Sequence, residues 1–72
     1  MSPPETPGEL NFMISHVCRE YMRHKQKRYS TFNDIMGALD GAKLEFYRRI
    51  IGPYEDRAIL KNGDIFDDKD LA

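Results

Sequence analysis

Tyr47, Arg48, Arg49, Tyr54, Glu55 and Asp56 form the densest set of chemistry-bearing side chains in the sequence, gathered around Ile50-Ile51-Gly52-Pro53. A guanidinium grips a phosphate or carboxylate through paired N–H donors. The two phenol rings offer flat faces for stacking on a planar ligand or a cation. Glu55 and Asp56 can accept hydrogen bonds from a base or a ribose. A structural reading competes with this one: an arginine pairs with Glu55 or Asp56 and fixes the junction at Gly52-Pro53, because opposite charges this near in sequence commonly meet.

Catalytic chemistry has thinner support. His16, Glu20 and His24 recur every four residues, so one helical face could carry all three. A metal or acid–base site needs further ligands or a nucleophile, and the sequence supplies neither at matching positions. Cys18 has no neighbouring group in the sequence that would activate its thiol, and it reads as a half-buried packing residue. The phosphate-loop, dinucleotide-binding and HExxH patterns are absent from the sequence. The expectation is a protein that is not an enzyme, with no cofactor and no metal.

The segment Arg23-His24-Lys25-Gln26-Lys27-Arg28-Tyr29 is a short basic run. It suits an anionic surface, but it equally suits the end of a helix, where cations complement the dipole. Its lack of interleaved aromatic residues weighs against single-strand binding. Net charge is −1, and acidic residues dominate beyond Glu55, so a nucleic-acid role ranks last.

The elements that must position these residues are helices. Thr6-Pro7-Gly8-Glu9 predicts a helix start, with Thr6 as cap, Pro7 at the first helical position and Glu9 completing a capping box. Leu10, Met13, Ile14, Val17 and Tyr21 follow at helical spacing, and the helix should fade around Gln26 to Arg28. Ser30 or Thr31 then caps a second helix, with Asp34 in its first turn. Its stripe is Phe32, Ile35, Met36, Leu39, Ala42, Phe46 and Ile50. Gly37 and Gly41, with Leu44 and Ile51, mark another face of that helix, where a second backbone could come close. Gly52-Pro53 should end or kink the helix, since a residue before proline is pushed out of the α region. A short third helix runs from Pro53 to Lys61 and stops at a left-handed cap on Asn62-Gly63. Ile65 and Phe66 form an extended apolar tag that packs on the core or on a neighbour.

Seventy-two residues make one domain, with too small a core to be comfortable alone. A single cysteine precludes an internal disulfide, so self-association is the favoured source of extra stability. The composition is 40% hydrophobic and 32% charged. It contains no apolar run near membrane-spanning length. The N-terminus lacks the basic and apolar regions of a secretion signal, so a cytoplasmic setting and no membrane partner are expected.

From Pro7 onward the chain resembles a family of short, functionally uncharacterised proteins of bacteriophages, bacteria and archaea. Four blocks carry the resemblance: Pro7-Gly8-Glu9-Leu10-Asn11-Phe12, Leu44-Glu45-Phe46-Tyr47-Arg48-Arg49, Pro53-Tyr54-Glu55-Asp56 and Asn62-Gly63-Asp64-Ile65. The N-terminal arm here is shorter than is usual in that family. The resemblance implies a small helical accessory protein, often phage-encoded, and supplies no catalytic residues.

Together these readings predict an all-α protein: an antiparallel helical hairpin, a short third helix and an extended C-terminal tail. Residues 1–6 form a flexible arm, 7–66 a single helical domain and 67–72 an acidic tail. A homo-oligomer would form through Gly37, Gly41, Leu44, Ile51, Ile65 and Phe66. The leading function is non-catalytic capture of a phosphorylated small molecule, such as a nucleotide signal, at Tyr47, Arg48, Arg49, Tyr54, Glu55 and Asp56. The alternative is a protein-interaction module that docks on a host or phage protein.

Overall fold

The computed structural model describes residues 2–71, and every regular element among them is helical. Their contacts divide them into two compact units, one ending at Leu39 and the other beginning at Asp40. Met1 and Ala72, the extremes of the predicted arm and acidic tail, lie outside the described residues.

The first unit opens with the arm. Ser2, Pro3 and Pro4 line a shallow hollow with Gly8, Glu9, Phe12 and Met13. Helix α1 (Pro7–Lys25) starts where its sequence says it should. The Thr6 hydroxyl accepts the Glu9 N–H at 3.1 Å. This satisfies one of the four amides that a helix start leaves unpaired. The Glu9 carboxylate reaches back to the amide of Glu5 at 3.3 Å. That is one residue beyond the Thr6 amide that a capping box would use. Arg23, His24 and Lys25 close the helix, where positive charge suits the dipole.

The turn after α1 is strained. Gln26 has φ 79° and ψ 159°. A side chain disfavours this combination and glycine tolerates it. Arg28 braces the turn: its Nε and Nη2 donate to Gln26 Oε1 at 3.2 and 2.8 Å, and its amide donates to the Gln26 carbonyl at 3.1 Å.

Helix α2 (Tyr29–Phe46) begins earlier than a Ser30 or Thr31 cap would allow. The Arg28 carbonyl already accepts the Phe32 N–H at 3.1 Å, so both hydroxyl residues sit inside the first turn. Asp34 lies beyond that turn and accepts a hydrogen bond from the Tyr21 hydroxyl at 3.0 Å. Thr31, 3% exposed, is the one buried residue among those described.

In the second unit the chain stays helical through Gly52-Pro53. The rest of α2 runs into a π-helical turn, Tyr47–Ile51, and then directly into α3 (Gly52–Asn62). Phe46, Ile51 and Gly52 all hold right-handed helical angles. The predicted stop is therefore a widened turn. Proline cannot donate, and its ring presses on the carbonyl four residues back, so the ladder must shift around it. The Gly52 N–H donates to the Tyr47 carbonyl, five residues back. Glycine suits the position before the proline, because a Cβ there would crowd the proline ring. An ideal Cβ on Gly52 would also stand 3.4 Å from the Tyr47 carbonyl oxygen.

Gly63 ends α3, its N–H donating to the Ile59 carbonyl at 2.8 Å. Its φ of 87° and ψ of 164° differ from the left-handed helical cap that Asn62-Gly63 suggests. This region too belongs essentially to glycine. The tail beyond is folded into side-chain turns. Asp64 accepts the Phe66 amide at 3.0 Å, Asp67 the Lys69 amide at 2.9 Å, and Asp70 the Asp67 amide at 3.0 Å.

No apolar residue among those described is buried. The stripes exist as read: Leu10, Ile14, Val17 and Tyr21 on α1, and Phe32, Met36, Leu39 and Phe46 on α2. Each is nevertheless exposed within the chain. No described helix is long and apolar enough to cross a membrane.

Candidate functional site

The π turn decides which corner residues meet. In a uniform α-helix, two turns carry a side chain to its neighbour seven positions on, which for Tyr47 would be Tyr54. The extra residue of the π turn moves that partnership on by one, to Glu55. The Tyr47 phenol faces the Glu55 carboxylate, first as a hydrogen-bonding partner and then as a negative charge. Both effects raise the Tyr47 pKa above 10.0, and Asp56 adds a smaller push in the same direction.

The arginines turn the other way. Arg48 Nη2 lies 2.8 and 3.0 Å from the two oxygens of Glu45, and Arg49 Nη1 lies 3.8 Å from Glu45 Oε1. These are the i, i+3 and i, i+4 partners of an ordinary helix surface. Arginine pairing with Glu55 or Asp56, which the sequence suggested, is thus replaced by pairing with Glu45. Both guanidinium side chains remain 72% exposed. Tyr54 presents an exposed ring. Of the six predicted residues, Tyr47 is set with Glu55 and Asp56, Arg48 and Arg49 are set with Glu45 outside that group, and Tyr54 belongs to neither cluster.

The other candidates are placed as follows. His16 stacks on Phe12, with ring centroids 6.4 Å apart, and its Nδ1 lies 3.2 Å from Arg19 Nη2. Arg19 also reaches Glu20 at 3.7 Å. His16 and Glu20 are thus engaged with their own helix surface, and no metal-holding group of His, Cys, Asp and Glu occurs among the described residues. Gly37 and Gly41 look onto open space, with nothing within 4 Å of an added Cβ at either. Leu44 and Ile51 on that face are exposed, as are Ile65 and Phe66.

Sequence reasoning passed over a different feature, a groove of about 400 Å³ in the first unit. Ile14, Val17, Cys18 and Tyr21 of α1 line it with Ile35, Ala38 and Leu39 of α2. Its polar partners, Tyr21 and Asp34, are hydrogen-bonded to each other, and this raises the Tyr21 pKa above 10.0. What remains of the lining is apolar. The two stripes run along it; the missing signal was that no described residue of the first unit fills the space between them.

Residues 1–65 match a family model whose description reads domain of unknown function, DUF6899. No curated protein and no solved structure matches the chain.

Proposed function

We propose, for a chain that belongs to the DUF6899 family, a role as a non-catalytic interaction module whose fold is completed by contact with another protein surface, in the first instance a second copy of itself. The observation that carries this reading is the absence of any buried apolar side chain among the described residues, although two helices bear continuous apolar stripes. A domain of this size is stabilised mainly by apolar burial, at about 25 cal/mol per Å². Without that burial nothing offsets an ordering cost of about 1.5 kcal/mol per residue. A partner must therefore supply the missing contact area. In this reading α1 and α2 lie antiparallel as a hairpin, and the Gly37, Gly41, Leu44 and Ile51 face offers a further contact between copies.

Light scattering and denaturation across a wide range of chain concentration test the proposal. A folded oligomer shows a mass above one chain and a denaturation midpoint that rises with concentration. A monomer with a cooperative, concentration-independent transition would sink it. Gly37→Ala and Gly41→Ala should weaken association if that face is in contact.

A second reading, capture of a phosphorylated small molecule such as a nucleotide, draws on one observation. Arg48 and Arg49 converge on the single carboxylate of Glu45 while staying exposed, so two cations sit against one anion. A phosphate competing with Glu45 would be gripped by both, with Tyr47 or Tyr54 as the stacking surface. Thermal stabilisation by a panel of linear and cyclic nucleotides, lost in Arg48→Ala and Arg49→Ala, supports it; a flat panel rejects it. Salt-sensitive binding to generic nucleic acid would instead favour an adaptor role for Arg23 to Arg28.

A further inference from the structure

We infer that the groove between α1 and the first half of α2 is the seat for the Ile65–Phe66 segment of a second copy of this chain, an assignment that rests on the self-association reading and specifies it. Three observations converge on it. The groove is open and apolar, with Tyr21 and Asp34 satisfying each other at 3.0 Å. An occupant therefore gains by bringing hydrocarbon and needs no polar group there.

The segment itself is built for display. Ile65 is 90% exposed and Phe66 58% exposed within the chain. The amides of Phe66, Asp67 and Lys69 are each taken by an aspartate side chain, which pins the backbone at and beyond the apolar pair. A segment ordered before it docks loses less freedom on docking.

Charge completes the match. Residues 64–70 carry Asp64, Asp67, Asp68 and Asp70 against the single Lys69. The end of α1 and the turn after it carry Arg23, Lys25, Lys27 and Arg28 with no acid among them. Lys25 lies one helical turn beyond Tyr21, so this basic stretch adjoins one end of the groove. An acidic segment with two apolar side chains suits an apolar slot with a basic end. A groove lined by acids, or a tag flanked by lysines, would not give that match. Reciprocal exchange, each copy seating the other's tag, closes a two-fold dimer.

Cys18, the chain's only cysteine, is a groove residue and serves as the reporter. In the full-length Phe66→Cys variant, a mild oxidant should join Cys18 of one chain to the introduced thiol of another. Such a disulfide requires the two backbones to lie within about 7 Å. Mixing isotopically labelled and unlabelled chains before oxidation shows by mass spectrometry that the bond joins two copies. Leu60→Cys, on an exposed site of α3, is the comparison and should react more slowly. A bond from Cys18 to the introduced thiol confined to single chains, a predominance of Cys18–Cys18, or a rate no faster than that of Leu60→Cys would overturn the assignment. Light scattering on Phe66→Asp and Leu39→Asp, with helicity checked by circular dichroism, supplies a readout without oxidation. Each should weaken self-association by about tenfold or more, the effect of removing a buried interface anchor. If the wild-type chain associates and Phe66→Asp associates equally well, the tag is not in the groove although self-association stands. If the wild-type chain is monomeric at every concentration, the broader reading falls and takes this assignment with it.

Discussion

Replacing Gln26 by glycine should stabilise the protein, against the usual direction for a substitution next to a helix end. Gln26 holds φ 79° and ψ 159°. Such backbone strain on a residue with a Cβ costs about 1–3 kcal/mol. Glycine removes it, at an entropic cost of about 0.5–1 kcal/mol. The substitution also deletes Oε1 and its bonds from Arg28 at 3.2 and 2.8 Å. On an exposed surface these contribute about 0.5 kcal/mol. From the middle of these ranges the net gain is about 1 kcal/mol, or roughly 4–8 °C in melting temperature for a domain of this size. Gln26→Ala separates the two effects. It keeps the strain and loses the Arg28 bonds, so it should be destabilising by about 0.5 kcal/mol. Urea denaturation followed by circular dichroism, at one fixed chain concentration, measures both variants. Equal stabilities for glycine and alanine would refute the reasoning, because only a positive φ distinguishes them so sharply.

Three further outcomes follow from the geometry. Gly52→Ala should leave stability within about 1 kcal/mol of the wild type in the same denaturation assay, the helix-propensity gain of about that size being opposed by crowding against the following proline. The Tyr47 carbonyl oxygen, 3.4 Å from the new Cβ, sits at contact distance. Thr6→Ala removes the bond to the Glu9 amide. It should cost about 1 kcal/mol, read as fraying of α1 by amide hydrogen exchange. Tyr21 and Tyr47 each have a folded-state pKa above the unfolded value, so their contribution is complete below pH 10.0 and is lost as pH rises through the raised value. Ultraviolet titration of the phenolates should show a component above pH 10.0 that shrinks in Tyr21→Phe and again in Tyr47→Phe; an unchanged curve would dismiss both pairings.

The start of α1 was legible because Thr6, Pro7 and Glu9 act locally, through contacts within one turn. Its end was legible in position, at Gln26, but nothing in the residue type announced a positive φ there. The start of α2 misled for a related reason. Ser30 and Thr31 look like caps, yet the carbonyl that receives the first helical bond belongs to Arg28, and Asp34 is drawn to Tyr21 thirteen residues away. Gly52-Pro53 reads as a stop by the usual rule for proline, and the helix continues by widening into the π turn at Tyr47–Ile51. The partner of the arginines was available in the sequence: Glu45 stands three and four residues before them. Least legible was the core, since periodic stripes tell which face is apolar and not what covers it.

The π turn has a consequence for how the chain tolerates changes of length. It is an α-helix that has absorbed one surplus residue between Tyr47 and Ile51 without turning the helix on either side out of phase. Loss of one residue elsewhere in an α-helix rotates everything beyond it by about 100° and scrambles its faces. Loss of one residue between Tyr47 and Ile51 would instead remove the surplus, leaving Phe46 and Ile59 near their present relation, with the ladder still interrupted at Pro53 alone. The segment is thus a length buffer, the one place between Asp40 and Asn62 where the chain can shorten by a residue and keep its register.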